Sequence, residues 1–128
     1  MSETSFPVAE RRGQAVLTTP DEIDLRNADS LRAALAAAAA TDLPVVVVDM
    51  SGTEFCDSTG LNVLVRAKKE ADADGRQLRL VVSGAALQRI LAVSGMGRLF
   101  PIFDSLDQAF EAALPGDAVR PRGATSDC

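Results

Sequence analysis

The sequence predicts a single α/β domain, built on a mixed, mostly parallel sheet of about five strands with an N-terminal hairpin at its edge and about four helices. Three observations lead there. The run "PVVVVD" at residues 44–49 is continuously β-branched, as expected of a strand covered on both faces. Short apolar runs alternate with stretches of helical spacing in the order β-β-α-β-α-β-α-β-α, an alternation that builds parallel sheets. Finally, a chain of 128 residues is long enough for one hydrophobic core and too short for two.

Each element follows from its own signals. Phe6 and Val8 precede "ERRG", and Ala15, Val16 and Leu17 follow it, so a hairpin turning near Arg12 and Gly13 is expected. Pro20 cannot donate to a ladder, and "TTPDEID" is read as the break after the second strand. From Asn27, the residues Leu31, Ala34, Leu35 and Ala38 recur at helical spacing, and Asp42 with Pro44 ends that helix. The strand at 44–49 gives way to a loop over 50–56. A second helix follows, with Leu61, Leu64, Val65 and Lys68 on one face and Asp74-Gly75 as its stop. Residues 77–82 form the next strand, with Leu78, Leu80 and Val82 alternating. "GAALQRILAVSG" is a third helix ending at Gly95, where Gly95 and Gly97 serve the backbone rather than a phosphate. A strand over 99–103 precedes a last helix over 105–114, capped by Ser105, with Phe110 and Leu114 inward. The domain is thus expected over residues 1–114, ordered from about residue 6. The Pro-, Gly- and Arg-containing stretch 115–128 is expected to be a disordered tail.

Composition removes several functions. A net charge of −5 leaves no basic footprint for nucleic acid or anionic lipid. With no histidine, Ser-His-Asp and Cys-His catalysis and the commonest metal ligand are absent. Two cysteines, Cys56 and Cys128, lying far apart, form neither a disulfide framework nor a zinc pattern, and Cys56 reads as a small buried hydrophobe. No run of 18 apolar residues and no apolar leader is found, so the expectation is a cytoplasmic protein without a membrane partner.

The stretch "FCDSTGL", residues 55–61, carries the chemistry. Asp57, Ser58 and Thr59 all suit the N-cap of the following helix, a role worth about 1 kcal/mol, but one cap suffices and three candidates stand in a row. A nucleophilic serine would need a base. Lys68 and Lys69 are about 15 Å further along the helix at 1.5 Å per residue. The upstream "VVVVDMSGT" resembles the haloacid-dehalogenase phosphatase motif, with Asp49 as nucleophile and Gly52 and Thr53 in place. Its second acid is Ser51 here, and the later acidic pair is reduced to Asp117. The remaining reading makes Ser58 a substrate. A phosphate there would meet the amides and macrodipole of a helix N-terminus, favourable by about 0.3–1 kcal/mol. It would add about −1.5 to −2 charge to whatever surface a partner covers.

Four passages in order resemble the STAS domain, and within it the bacterial anti-anti-sigma factors, or anti-sigma factor antagonists. They are "DEIDLRNADSLRAAL", "PVVVVDMSGTEFCDSTGLNVL", "LRLVVSGAALQRIL" and "VSGMGRLFPIFDSLDQAF". The resemblance implies a STAS-like fold and a non-enzymatic switch, with no catalytic residue and no metal ligand in the chain. The unmodified protein would bind an anti-sigma factor that is itself a serine kinase, releasing a sigma factor. Phosphorylation of Ser58, with Thr59 as second choice, would abolish binding, and a phosphatase would reset it. ATP and magnesium would belong to the kinase, leaving this chain without a cofactor. By position the partner surface would include Asp24, Asp57, Ser58, Thr59, Gly60 and Asn62. Asp21 and Asn62 replace glycines of the family pattern. Two alternatives remain: a scaffold or accessory subunit of a stress-sensing or lipid-transport complex, and a phosphatase acting through Asp49.

Overall fold

The structure is a computed structural model and describes residues 6–112. The chain opens with a hairpin, β1 (Val8–Arg11) and β2 (Gln14–Thr18), whose turn residues Arg12 and Gly13 both take positive φ, 54° and 75°. Such a pair matches the twist of the two strands. β3 (Glu22–Ile23) leads into α1 (Ala28–Ala39), β4 (Val45–Asp49), β5 (Phe55–Cys56) and α2 (Ser58–Ala73). Then come β6 (Gln77–Val81), α3 (Ala85–Ser94), a single 3₁₀ turn at Met96–Arg98, β7 (Ile102–Phe103) and α4 (Leu106–Glu111).

Five strands form the main sheet in the order β1-β2-β4-β6-β7, antiparallel only in the β1–β2 hairpin. β4 lies at its centre, and its valines divide between two cores. Val46 and Val48 join the larger cluster under α1, α2 and α3, with Leu17, Leu31, Leu64, Leu80 and Leu87. Val45 and Val47 join Val16, Val81, Ala109 and Phe110 under α4. A β-branched run without alternation is what a strand buried on both faces requires.

Three expectations are corrected. The loops after Pro20 and after Met50 are not purely irregular, because β3 and β5 pair in parallel as a separate two-stranded ribbon. Their partner contacts, not their two-residue lengths, make them strands. The strand expected over 99–103 shortens to Ile102–Phe103, since the 3₁₀ turn and Leu99 use the preceding residues. The second helix buries Gly60, Leu61, Val63 and Leu64, whereas Val65 and Lys68 are only half-buried, so its inward stripe lies slightly off the expected one. Leu114 and the expected tail lie outside the described residues.

Arg79 is also unexpected. On β6 it sits opposite the Leu78-Leu80-Val82 face, where an alternating strand places polar residues toward water. Here α4 covers that face. Arg79 is fully buried, donates to the Ala109 carbonyl at 2.6 Å and to Gln77 Oε1, and lies over the Phe103 ring at 5.9 Å. Burial lowers its pKa from the usual guanidinium value. Gln14 Nε2 donates to the Phe110 carbonyl at 3.2 Å, so two buried side chains tie down the last turn of α4.

Candidate functional site: the amino end of α2 and the β3–β5 ribbon

α2 begins at Ser58 because Asp57 caps it. Asp57 is extended, and its Oδ1 accepts the Gly60 N–H at 3.0 Å. Of the three cap candidates, Asp57 takes the role, which leaves both hydroxyls uncommitted to capping. Ser58, at the first helical position, is exposed, while Thr59 is half-buried. Gly60 is buried, and a Cβ there would lie 2.6 Å from Ile23 Cγ2 and 2.7 Å from Cys56 Sγ. It therefore contributes to the surface indirectly, by letting the first turn of α2 seat on the ribbon. Asn62 is exposed one turn beyond Ser58 and edges a groove of about 190 Å³ between α1 and α2.

The ribbon brings Asp24 to this place. Glu22 pairs with Phe55 and Ile23 with Cys56, and the Asp57 N–H donates to the Ile23 carbonyl at 3.0 Å. Asp24 directly follows Ile23, so this hydrogen bond brings it to the start of α2, just past the end of both strands. Asp24 is held firmly. Its Oδ1 accepts the Arg26 N–H at 2.9 Å and its Oδ2 accepts Arg26 Nη2 at 2.8 Å. The side-chain hydrogen bond from Arg26 is the main reason the Asp24 carboxyl lies below its usual range.

Behind the surface, buried polar groups lock the ribbon to the sheet. The hydroxyls of Thr19 and Thr53 share a hydrogen bond of 2.6 Å, and Thr53 donates to the Pro20 carbonyl at 2.5 Å. Glu54 N–H donates to the Asp21 carbonyl at 2.7 Å. Asn27 makes no side-chain cap for α1. Instead its Oδ1 accepts the Asp24 N–H and its Nδ2 donates to the Glu22 carbonyl, both at 2.9 Å. Cys56 is buried, and desolvation pushes its thiol up to about 12. This suits the small hydrophobe expected of it.

The same contacts speak against the Asp49 phosphatase reading. Thr53, which that motif would aim at a phosphate, is 1% exposed and committed to Thr19 and Pro20. Asp49 Oδ1 accepts the Ser51 N–H at 3.1 Å. Lys68, considered as a base for Ser58, is engaged three turns away by Asp72 at 2.6 Å.

Of the residues singled out in the sequence, Asp24, Asp57, Ser58 and Thr59 converge, Asn62 lies beside them, and Gly60 lies beneath. Sequence reasoning did not single out Phe55, 45% exposed on β5, or Leu25, 76% exposed in the turn after β3. Phe55 sits within the quoted motif, but its outward direction follows only from β5 having a partner.

A small α/β domain that offers one exposed serine at a capped helix end, beside a fixed carboxylate, has the form of a regulatory docking module. A family model for the STAS domain matches residues 5–109. The anti-sigma-F factor antagonist RsfB of Mycobacterium tuberculosis is 31% identical over 109 residues, covering 85% of this chain and 88% of that protein. The crystal structure of an anti-sigma factor antagonist from Mycobacterium paratuberculosis is similar with a TM-score of 0.74 at 30% identity, covering 82% of this chain and 89% of that one. The antagonist SpoIIAA in its unphosphorylated form, at 18% identity, shares the fold with a TM-score of 0.68 over 82% of this chain and 92% of its own. The chain belongs to the STAS domain family, among the anti-sigma factor antagonists. No helix among the described residues is long and apolar enough to cross a membrane.

Proposed function

We propose that this protein binds an anti-sigma factor through the ribbon and the amino end of α2, and that phosphorylation of Ser58 ends the binding. The anti-sigma factor is itself the serine kinase, and in the cytoplasm its capture frees a sigma factor. The observation that carries the reading is the division of labour at the helix end: Asp57 caps, Thr59 is half-buried, and Ser58 alone is exposed.

The chemistry asks little of this chain. The kinase, with its own ATP and magnesium, transfers the γ-phosphoryl group to Ser58 Oγ. The new Oγ–P bond forms as the bond to the departing ADP oxygen breaks, and the hydroxyl proton passes to a base on the kinase. This chain supplies presentation. A helix start fixed by Asp57, and a ribbon fixed by Thr19, Thr53 and Asn27, hold the hydroxyl in one place. The phosphoserine is compatible with the fold, because an anion at the start of a 16-residue helix is favoured by about 0.3–1 kcal/mol. The change falls on the partner, and a phosphatase hydrolyses the ester to restore the binding form.

Intact-mass measurement after incubation with candidate anti-sigma kinases and ATP tests this. The wild type is expected to gain one phosphate and Ser58→Ala none. A phosphate retained in Ser58→Ala would move the acceptor to Thr59 or elsewhere. Phosphatase activity that disappears in Asp49→Asn would replace the proposal with the enzyme reading.

A further inference from the structure

α1 and α2 both connect parallel strands of the main sheet, so they run in the same direction, side by side over it. Their facing sides are built from alanine, Ala36 and Ala39 on α1 and Ala67 and Ala71 on α2. Such short side chains do not fill the space between the helices, and the groove of about 190 Å³ remains. Val46 and Leu78 of the sheet, with Leu35 and Val63, line its inner side, each no more than 8% exposed. Protein interiors leave few gaps larger than a water molecule, so an apolar recess of this size departs from ordinary packing. An apolar cavity of about 150 Å³ already accepts a benzene ring.

The two ends of the groove differ in charge. At the carboxyl end Arg76 bridges the helices, donating to the Ala39 carbonyl and, at 2.7 Å, to Asp42. Glu70 and Asp74 stand beside it. At the amino end the groove is lined by Arg32, Asn62 and Arg66. Arg32 is paired only with Asp29, and both side chains are more than half exposed, so a ligand can displace that contact readily. Arg66 has no ion-pair partner among the described residues, although Glu70 lies one turn further along α2. In a chain of net charge −5, one end of an apolar groove thus keeps two guanidinium groups and an amide open to a ligand. A carboxylate is the complementary head, because a guanidinium presents paired N–H donors that match its two oxygens.

We propose that the α1–α2 groove binds a small organic acid as its carboxylate, with an apolar body about the size of one ring. The body lies along the alanine walls over Val46 and Leu78, and the carboxylate accepts from Arg66 and Arg32 at the amino end. Apolar lining with a few polar groups that fix orientation is the usual construction of a small-molecule site. The site stands apart from the Ser58 chemistry and does not depend on the proposed function.

Three probes with one body and different heads test it: phenylpropionate, phenylpropanol and phenylpropylammonium. Each is titrated into the full chain while backbone amides are followed in proton–nitrogen correlation spectra. Phenylpropionate is expected to move the amides of Leu35, Ala36, Val63 and Ala67 saturably, with a Kd of about 1 mM, as for a ligand of roughly a dozen non-hydrogen atoms. The alcohol is expected to bind the same residues about 10-fold more weakly, and the ammonium more weakly still. Arg66→Gln, an exposed substitution, is expected to raise the Kd of the carboxylate about threefold to tenfold and leave that of the alcohol unchanged. Ala67→Leu fills the groove and is expected to abolish saturable binding of all three. Thermal melting checks its fold, and Ala36→Leu on the opposite wall serves if Ala67→Leu melts early. No saturable shift up to about 10 mM, or binding that persists in the folded filling variants, would overturn the site. Alcohol binding as tight as the carboxylate would overturn the choice of head. Shifts of the same amides on diluting ligand-free protein would give the groove to a second copy of the chain and likewise overturn the proposal.

Discussion

The central sheet and the β3–β5 ribbon are built on opposite plans. β4 is covered on both faces, and its four valines are each no more than 5% exposed. It is held by bulk burial, which tolerates no water and offers no chemistry. The ribbon has two residues per strand and is held by a few specific contacts: the Thr19–Thr53 hydroxyl pair, the Asn27 brace, the Asp57 cap and the close approach at Gly60. Its outer side faces water and carries the exposed groups. On the proposed function, the difference puts recognition beside the core, on a segment made rigid by polar locks, so that stability and recognition can be altered separately.

Substitutions can break that contrast from either side. Leu80→Ala, in the fully buried middle of β6, should lower stability by about 2–5 kcal/mol in denaturant titrations, through lost transfer energy and a cavity. Gly60→Ala should cost about 1–3 kcal/mol, because the added methyl meets Ile23 and Cys56 at distances no packed carbon tolerates. Partner affinity should fall with it as the ribbon shifts off α2. Asp57→Ala should cost about 0.5–2 kcal/mol, measurable in the same titration, by leaving the α2 amides uncapped. Ser58→Ala should stay within about 0.5 kcal/mol of wild type, as expected of an exposed side chain, while abolishing modification. If Ser58→Ala destabilised the fold as much as Asp57→Ala, the separation of the two roles would fail.

Cys56 adds a pH dependence from beneath the ribbon. Its thiol is raised from 9.0 to about 12 by burial first and by the Asp57 charge second. The folded state therefore holds the proton more tightly than the unfolded one. This contribution is fully present below pH 9 and is lost as pH rises from about 9 toward 12. Stability measured over that range should decline, and more steeply than in Cys56→Ala. At pH 8, in a Cys128→Ser background, iodoacetamide should label Cys56 only after unfolding.

The strands and helices of the main layer were legible because burial imposes long, regular patterns: a β-branched run for β4, helical spacing for α1, and glycines at the ends of α2 and α3. What stayed hidden depends on partners distant in sequence. Two-residue strands have no period to detect, so β3 and β5 read as loop. Arg79 reads as a solvent-facing position until α4 is placed over it. The helix cap was visible as three hydroxyl or carboxylate candidates, but which of them caps needed the Asp57–Gly60 bond. Leu25 carries no sequence signal distinguishing it from a core leucine. Only its place beyond the end of the ribbon makes it outward.

The most direct measurement takes protein phosphorylated stoichiometrically at Ser58, confirmed by intact mass, and titrates it against the anti-sigma kinase beside the unmodified form. Binding by the unmodified protein and its loss in the phosphorylated one is the predicted result. Equal affinity of the two forms would contradict the switch, however faithfully the kinase had modified Ser58.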